Sequence, residues 1–228
     1  MYFILIMPRS GRERDAAHEW ASGPYIEHQW LWRFFPAAEG AQRDFLFRRW
    51  DMESIPRFYV VSERPPRPLN TAWSVQTQNY APKVETDARL RFDLRANPVV
   101  THNRDGRRTR HDVVMHQKKK LLQERGMASW QNWQDDNKPT LYALVHETCS
   151  AWLRSRSSRL GFDVDEASLA VDGYQQHVEK NGRLRFSTVD FSGTLTVTDP
   201  KAFVGVLHRG IGPAKAFGCG LLLVRRLR

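Results

Sequence analysis

The sequence predicts an α+β chain of two tandem ferredoxin-like (RRM-like) halves, each ordered strand, helix, strand, strand, helix, strand. Three observations support this. Short apolar or alternating runs of strand character recur from one end of the chain to the other. Stretches of helical period fall between them. The same element order can be laid over residues 1–88 and again over 89–228, although no residue-level repeat links the two. A length of 228 residues fits two small domains, and 41% apolar with 11% aromatic residues is enough for real cores.

The elements follow in order. MYFILIMP is an apolar run stopped by proline, as in a buried strand. The polar stretch after it, to about residue 22, reads as a loop. Pro24 opens a helix over 24–35, with Ile26, Trp30 and Phe34 as its apolar stripe and Pro36 as its stop. Residues 44–50 and 57–64 are strand-like, and the prolines at 65–68 end the second. Residues 69–88 suggest weak helix or irregular chain. In the second half, RLRFDLRANPVV (89–100) alternates as a half-buried strand does, and a basic hairpin follows around Asp105-Gly106. Residues 115–139 are Lys- and Gln-rich, a helix or an insertion. Leu141, Leu144, Val145, Thr148 and Trp152 mark a helix over about 140–156. Strands at 169–178 and 183–197 flank Asn181-Gly182, a strong hairpin signal. Asp199-Pro200 starts a third helix, Gly210 stops it, and LLLVRR closes the chain as a strand.

Charge points to the partner. Lys and Arg number 35 against 25 acids, a net +10. Residues 1–90 hold 12 basic and 11 acidic side chains, so nearly all the excess lies beyond them. Arg104, Arg107, Arg108, Arg110, Lys118, Lys119, Lys120 and Arg125 crowd one segment, so the second half is expected to meet a polyanion, against the blander reading of a solvated face. Two cysteines exclude a disulfide framework, and no run reaches the roughly 18 apolar residues of a membrane span. A soluble, cytoplasmic protein is expected.

Three groups of residues could perform chemistry. Tyr25 and His28 lie three apart on the first helix and could act as general acid and base without metal, with Arg33 a turn further on to meet a phosphate. That suits RNA cleavage through its own 2′-hydroxyl. On spacing alone, an ordinary surface His beside an ordinary Tyr is the commoner case. The segment GIGPAKAFGCG, with Gly212, Lys215 and Gly218, could bring backbone N–H groups to a phosphate or could be a tight structural turn. His146 and Cys149 lack a second pair for zinc, Asp135-Asp136 lacks further acids for a two-metal nuclease, and His111 and His116 only add to the basic stretch. No metal or cofactor is expected.

Several blocks together resemble the CasE family, the CRISPR-associated endoribonucleases of the type I-E Cascade complex. They are MYFILIM, PYIEHQWLWRFFP, RDFLF, LRFDLRANPVV, AWL at 151–153, VDFSG and GIGPAKAFGCGLLLV, in the family's order from end to end. The resemblance implies two ferredoxin-like domains. It implies metal-independent cutting of precursor CRISPR RNA at the 3′ base of the repeat hairpin, leaving a 5′-hydroxyl and a 2′,3′-cyclic phosphate. The product is retained as part of a Cascade complex. The family's catalytic histidine falls on His28, its tyrosine on Tyr25, and a basic residue used by some members on Arg33. The hairpin at 174–186, with Lys180, Arg183 and Arg185, is similar to the family's stem-binding hairpin. A non-catalytic RNA-hairpin-binding subunit and a purely architectural protein are the competing readings.

Overall fold

The computed structural model describes residues 1–20, 24–52, 55–69, 71–104, 106–179 and 184–227, with the side chains of residues 24, 25, 104, 107 and 179 left aside. The first half comprises β1 (Tyr2–Pro8), α1 (Glu13–Glu19), α2 (Pro24–Trp32), β2 (Phe45–Met52), β3 (Ile55–Ser62) and β4 (Trp73–Asn79). Its antiparallel sheet runs β2-β3-β1-β4, with Ile4 opposite Val60 and Thr77. Those strands bury Ile4, Ile6, Phe47, Phe58 and Trp73 under Trp30, Leu31, Phe34 and Phe35 from α2 and the turn after it. Each such side chain contributes about 1.5–3 kcal/mol of burial, so this layer holds α2 in place.

The second half comprises β5 (Arg89–Ala96), β6 (Val99–Arg104), β7 (Arg107–Asp112), α3 (Val113–Glu124), α4 (Leu141–Ser157), β8 (Phe162–Val164), β9 (Ala170–Glu179), β10 (Leu184–Val197), α5 (Pro200–Arg209) and β11 (Leu222–Arg226). Its sheet runs β11-β5-β10-β8, with β9 also paired to β10. Relabelled within each half, both sheets have the ferredoxin order. A second core forms from Phe92, Leu94, Trp152, Phe191, Phe203 and their neighbours, and Leu46, Val61 and Leu221 join strands of the two halves. Asp199 caps α5 by accepting from the Ala202 N–H at 3.0 Å, as Asp199-Pro200 predicts.

Several expectations are corrected. The stretch expected to be a loop contains α1, a short helix with only Ala16 buried, so it has no apolar period to read. Residues 69–88 hold β4, an edge strand paired only to β1, whose sequence WSVQTQN is mostly exposed and polar. The first half has no second helix among the described residues of its 63–72 link, where three prolines remove backbone donors. Helix α2 ends at Trp32, and its buried face is Glu27, Trp30, Leu31 and Phe34, while Ile26 is 44% exposed. Glu27 conceals that stripe in sequence: it is buried because Arg49 on β2 pairs with it at 2.7 Å. Residues 113–124 form a regular helix, capped by Asp112 accepting from the Met115 N–H. The Asn181-Gly182 turn lies outside the described residues.

Candidate active site and nucleic-acid interface

Helix α2 presents His28 on the side away from its core stripe. The Glu27–Arg49 pair locks that orientation, and Arg49 also binds Asp51 at 2.7 Å and lies over the Trp20 ring. His28 is half-buried. Its Nε2 accepts from the Trp32 indole N–H at 3.1 Å, and its Nδ1 is shut from solvent without a partner. The accepted bond assigns the neutral ring's proton to Nδ1. Burial, and after it the positive charge of Arg43, hold the His28 pKa below its ordinary value. A ring that stays neutral at neutral pH can take a proton from a substrate at Nε2 once the Trp32 N–H yields that lone pair.

The glycine-rich segment closes over this helix. Its turn, Lys215–Phe217, brings the Phe217 ring to 6.4 Å from His28. Two predicted glycines are explained by packing. Gly218 has φ +76°, and a Cβ there would meet the Phe47 ring at 3.2 Å, while Gly212 has φ +77° and approaches the Trp152 ring. One glycine thus seats the loop on the first core and the other on the second. Lys215 is half-buried, with Nζ donating to the Arg209 carbonyl at 2.5 Å. Burial, then Arg43 and Arg209, lower its pKa.

Phe217 also begins a ladder of rings. It stacks on Phe186 of β10 at 4.8 Å, which stacks on His177 of β9 at 4.7 Å. Two clefts meet at this ladder. One, of about 810 Å³, is lined by Glu27, Arg48, Trp50, Arg95, Asp190 and Phe217. The other, of about 730 Å³, is lined by Arg110, His111, Arg185, Phe186, Pro213 and Phe217. The second cleft therefore unites Arg110 of the β6–β7 hairpin and Arg185 of β10 with the uncharged edge of the glycine loop, three segments that the sequence keeps far apart.

The other predicted residues fall out differently. Arg33 lies exposed in the turn after α2. The side chains of Tyr25, Arg104 and Arg107 and all of Lys180 and Arg183 lie outside the described set, while Arg108 and Arg110 are exposed on β7. Lys118 of α3 sits 5.0 Å over the Trp130 ring, also approached by Lys138, so it helps fasten the segment after α3 to that helix. His111 and His116 cluster with His102, their ring centres 4.8–6.5 Å apart. Among the described residues no group of three or more His, Cys, Asp or Glu side chains is arranged to hold a metal ion. Cys149 and Cys219 are free and buried, with thiols pushed up to about 12 by burial. Among the described residues no helix is long and apolar enough to cross a membrane. Helical spacing puts Trp32 on the same side of α2 as His28, and the structure joins the two. Sequence reasoning missed Arg43 as a neighbour of His28, because nothing in the sequence signalled it.

Fold and site together define a class: a tandem ferredoxin-like protein with a half-buried histidine set beneath a glycine loop whose Phe217 lines two clefts. A sequence model of the CRISPR associated protein family matches residues 1–226, and the chain belongs to that family. It is 29% identical over 210 residues to the CRISPR system Cascade subunit CasE of Escherichia coli (strain K12), covering 90% of this chain and 94% of the relative. It is 28% identical over 165 residues to the CRISPR-associated endoribonuclease Cse3 of Thermus thermophilus, covering 67% of each. Among solved structures, CRISPR endoribonuclease Cse3 bound to 19 nt RNA matches with a TM-score of 0.66 and 25% identity over 98% of each chain. The crystal structure of Cas6e from Escherichia coli matches in fold, with a TM-score of 0.60 over the whole of both chains.

Proposed function

We propose that this chain is an endoribonuclease that cuts precursor CRISPR RNA at the 3′ base of the repeat hairpin and keeps the product as a cytoplasmic Cascade subunit. The division into domains 1–88 and 89–228 belongs to the same reading. The observation that supports it most is Phe217: one ring touches His28 and lines both clefts, so RNA held in the basic cleft runs past the histidine.

The reaction needs two proton transfers. A base takes the 2′-hydroxyl proton, the 2′-oxygen bonds to phosphorus, the bond from phosphorus to the 5′-oxygen breaks, and an acid protonates that oxygen. The ends are a 2′,3′-cyclic phosphate and a 5′-hydroxyl. His28 and Tyr25 share the two transfers, with no metal or cofactor. Arg33 supplies charge at the rim. Arg108, Arg110 and Arg185, together with Arg104, Arg107, Lys180 and Arg183, grip the stem through its phosphates and A-form shape.

The test is a gel assay of the cognate repeat RNA in EDTA with wild type and His28→Ala. Cleavage by wild type that vanishes in the variant, with binding kept, is expected. Equal cleavage by both removes the role of His28. Binding without cleavage by wild type favours a non-catalytic hairpin-holding subunit, and neither activity favours an architectural protein.

A further inference from the structure

Beside His28 lies a guanidinium that no acid among the described residues neutralises. Arg43, in the link between α2 and β2, is half-buried against the Phe45 ring at 5.7 Å, and its Nε and Nη1 are closed to solvent without a hydrogen-bond partner. Its neighbour Asp44 is no counter-ion, because it is paired with Arg64. Burial lowers Arg43 to about 10, which leaves it cationic at neutral pH.

Other positive charges gather at the same place. Arg43 is close enough to His28 and to Lys215 that its charge disfavours protonation of both, and Arg209 adds to the repulsion on Lys215. Three segments thus converge with like charge: the link before β2, the glycine loop and the end of α5. A buried cation without a partner costs free energy, and so does a cluster of like charges. Such an arrangement is suited to a ligand that brings the missing negative charge, and beside a proton-transferring histidine that ligand is a phosphodiester.

We propose that Arg43 is a further catalytic residue: its guanidinium donates to the non-bridging oxygens of the phosphodiester being cut, with Lys215 as the second donor. This rests on the endoribonuclease reading above. Arg43 moves no proton. The phosphate carries one negative charge in the bound RNA and approaches two in the pentacoordinate state, so a fixed guanidinium binds the latter more strongly and lowers the barrier. Once the seated RNA uncovers Nε or Nη1, its fork of N–H donors is matched to paired phosphate oxygens, which a lysine meets only as a point charge.

The test uses Arg43→Met, Arg43→Lys and Arg43→Ala in the full chain, with a transcript of the CRISPR repeat from the array beside the encoding locus. Arg43→Met is expected to melt at or above the wild-type temperature. It should bind the same RNA carrying a 2′-deoxy residue at the cut site within about threefold of wild type, and cleave about 10²–10³-fold more slowly in single turnover. Arg43→Lys should recover only part of the rate, and millimolar guanidinium should partly rescue Arg43→Ala. Full-rate cleavage by Arg43→Met, a lowered melting temperature, or a binding loss as large as the rate loss would each overturn the inference. If wild type itself fails to cleave, the endoribonuclease reading falls with it. If wild type cleaves, His28→Ala does not, and Arg43→Met cleaves normally, only the role of Arg43 falls.

Discussion

Replacing Asp190 with asparagine removes a carboxylate that two arginines share across the two halves of the chain. On one side Arg95 of β5 grips it twice, Nε to Oδ1 at 2.9 Å and Nη2 to Oδ2 at 2.7 Å. On the other, Arg48 of β2 reaches Oδ1 at 3.4 Å, and the Arg48 side chain is only 6% exposed. Its Nε and Nη1 have no hydrogen-bond partner among the described residues, so in Asp190→Asn a buried cation keeps only the weaker field of Asp93 and the face of the Trp50 ring at 5.1 Å. Deleting one member of a fully buried ion pair costs about 3–5 kcal/mol. The Asp190 side chain is 28% exposed and that of Arg95 37%, so solvent screens part of this and the cost is about 2 kcal/mol. For a chain of this size that lowers Tm by about 4–8 °C in calorimetry at pH 7. The double variant Arg48→Met/Asp190→Asn should regain at least half of the loss, because it removes the stranded charge. An unchanged Tm for Asp190→Asn, or a double variant with additive losses, would refute the reasoning.

Other expected outcomes concern the site. In Trp32→Phe the ring remains but the N–H donor to His28 Nε2 is lost. That bond exists only with neutral histidine, so its loss favours protonation, and with His28 as the base the acid limb of the cleavage pH profile moves to higher pH. A limb that stays put or moves down refutes the assignment. In Arg108→Ala/Arg110→Ala, RNA affinity should fall and the slope of log affinity against log salt should shrink by up to about 2, as for two lost phosphate contacts. An unchanged slope, measured by filter binding over a salt series, would place the RNA on another face.

Elements with strong local signals were legible in the sequence. Strands β1, β3 and β5 read from apolar or alternating runs because both their neighbours are protein. Helix α5 read from a proline after its cap and a glycine at its end. Edge strand β4 did not, because pairing with β1 alone leaves a polar surface that resembles loop. The register of α2 was misjudged because its buried face includes Glu27, which only the distant Arg49 makes tolerable. The site was legible in part. The structure brings together His28 and the glycine loop, which the sequence singled out separately, the former by resemblance rather than by spacing. Arg43 was not singled out, since a guanidinium 15 residues along the chain reaches His28 only through the packing of the link against Phe45. The charge excess of the second half pointed to a polyanion, yet the cations gathered with Arg43 come from both halves.

The central claim is that His28 serves an attack by the RNA's own 2′-hydroxyl. The measurement that tests it most directly is the mass of the upstream fragment's 3′ end after single-turnover cleavage in EDTA. The account predicts a 2′,3′-cyclic phosphate, formed by wild type and absent with His28→Ala. A 3′-hydroxyl end, with the phosphate left on the downstream fragment, would contradict it.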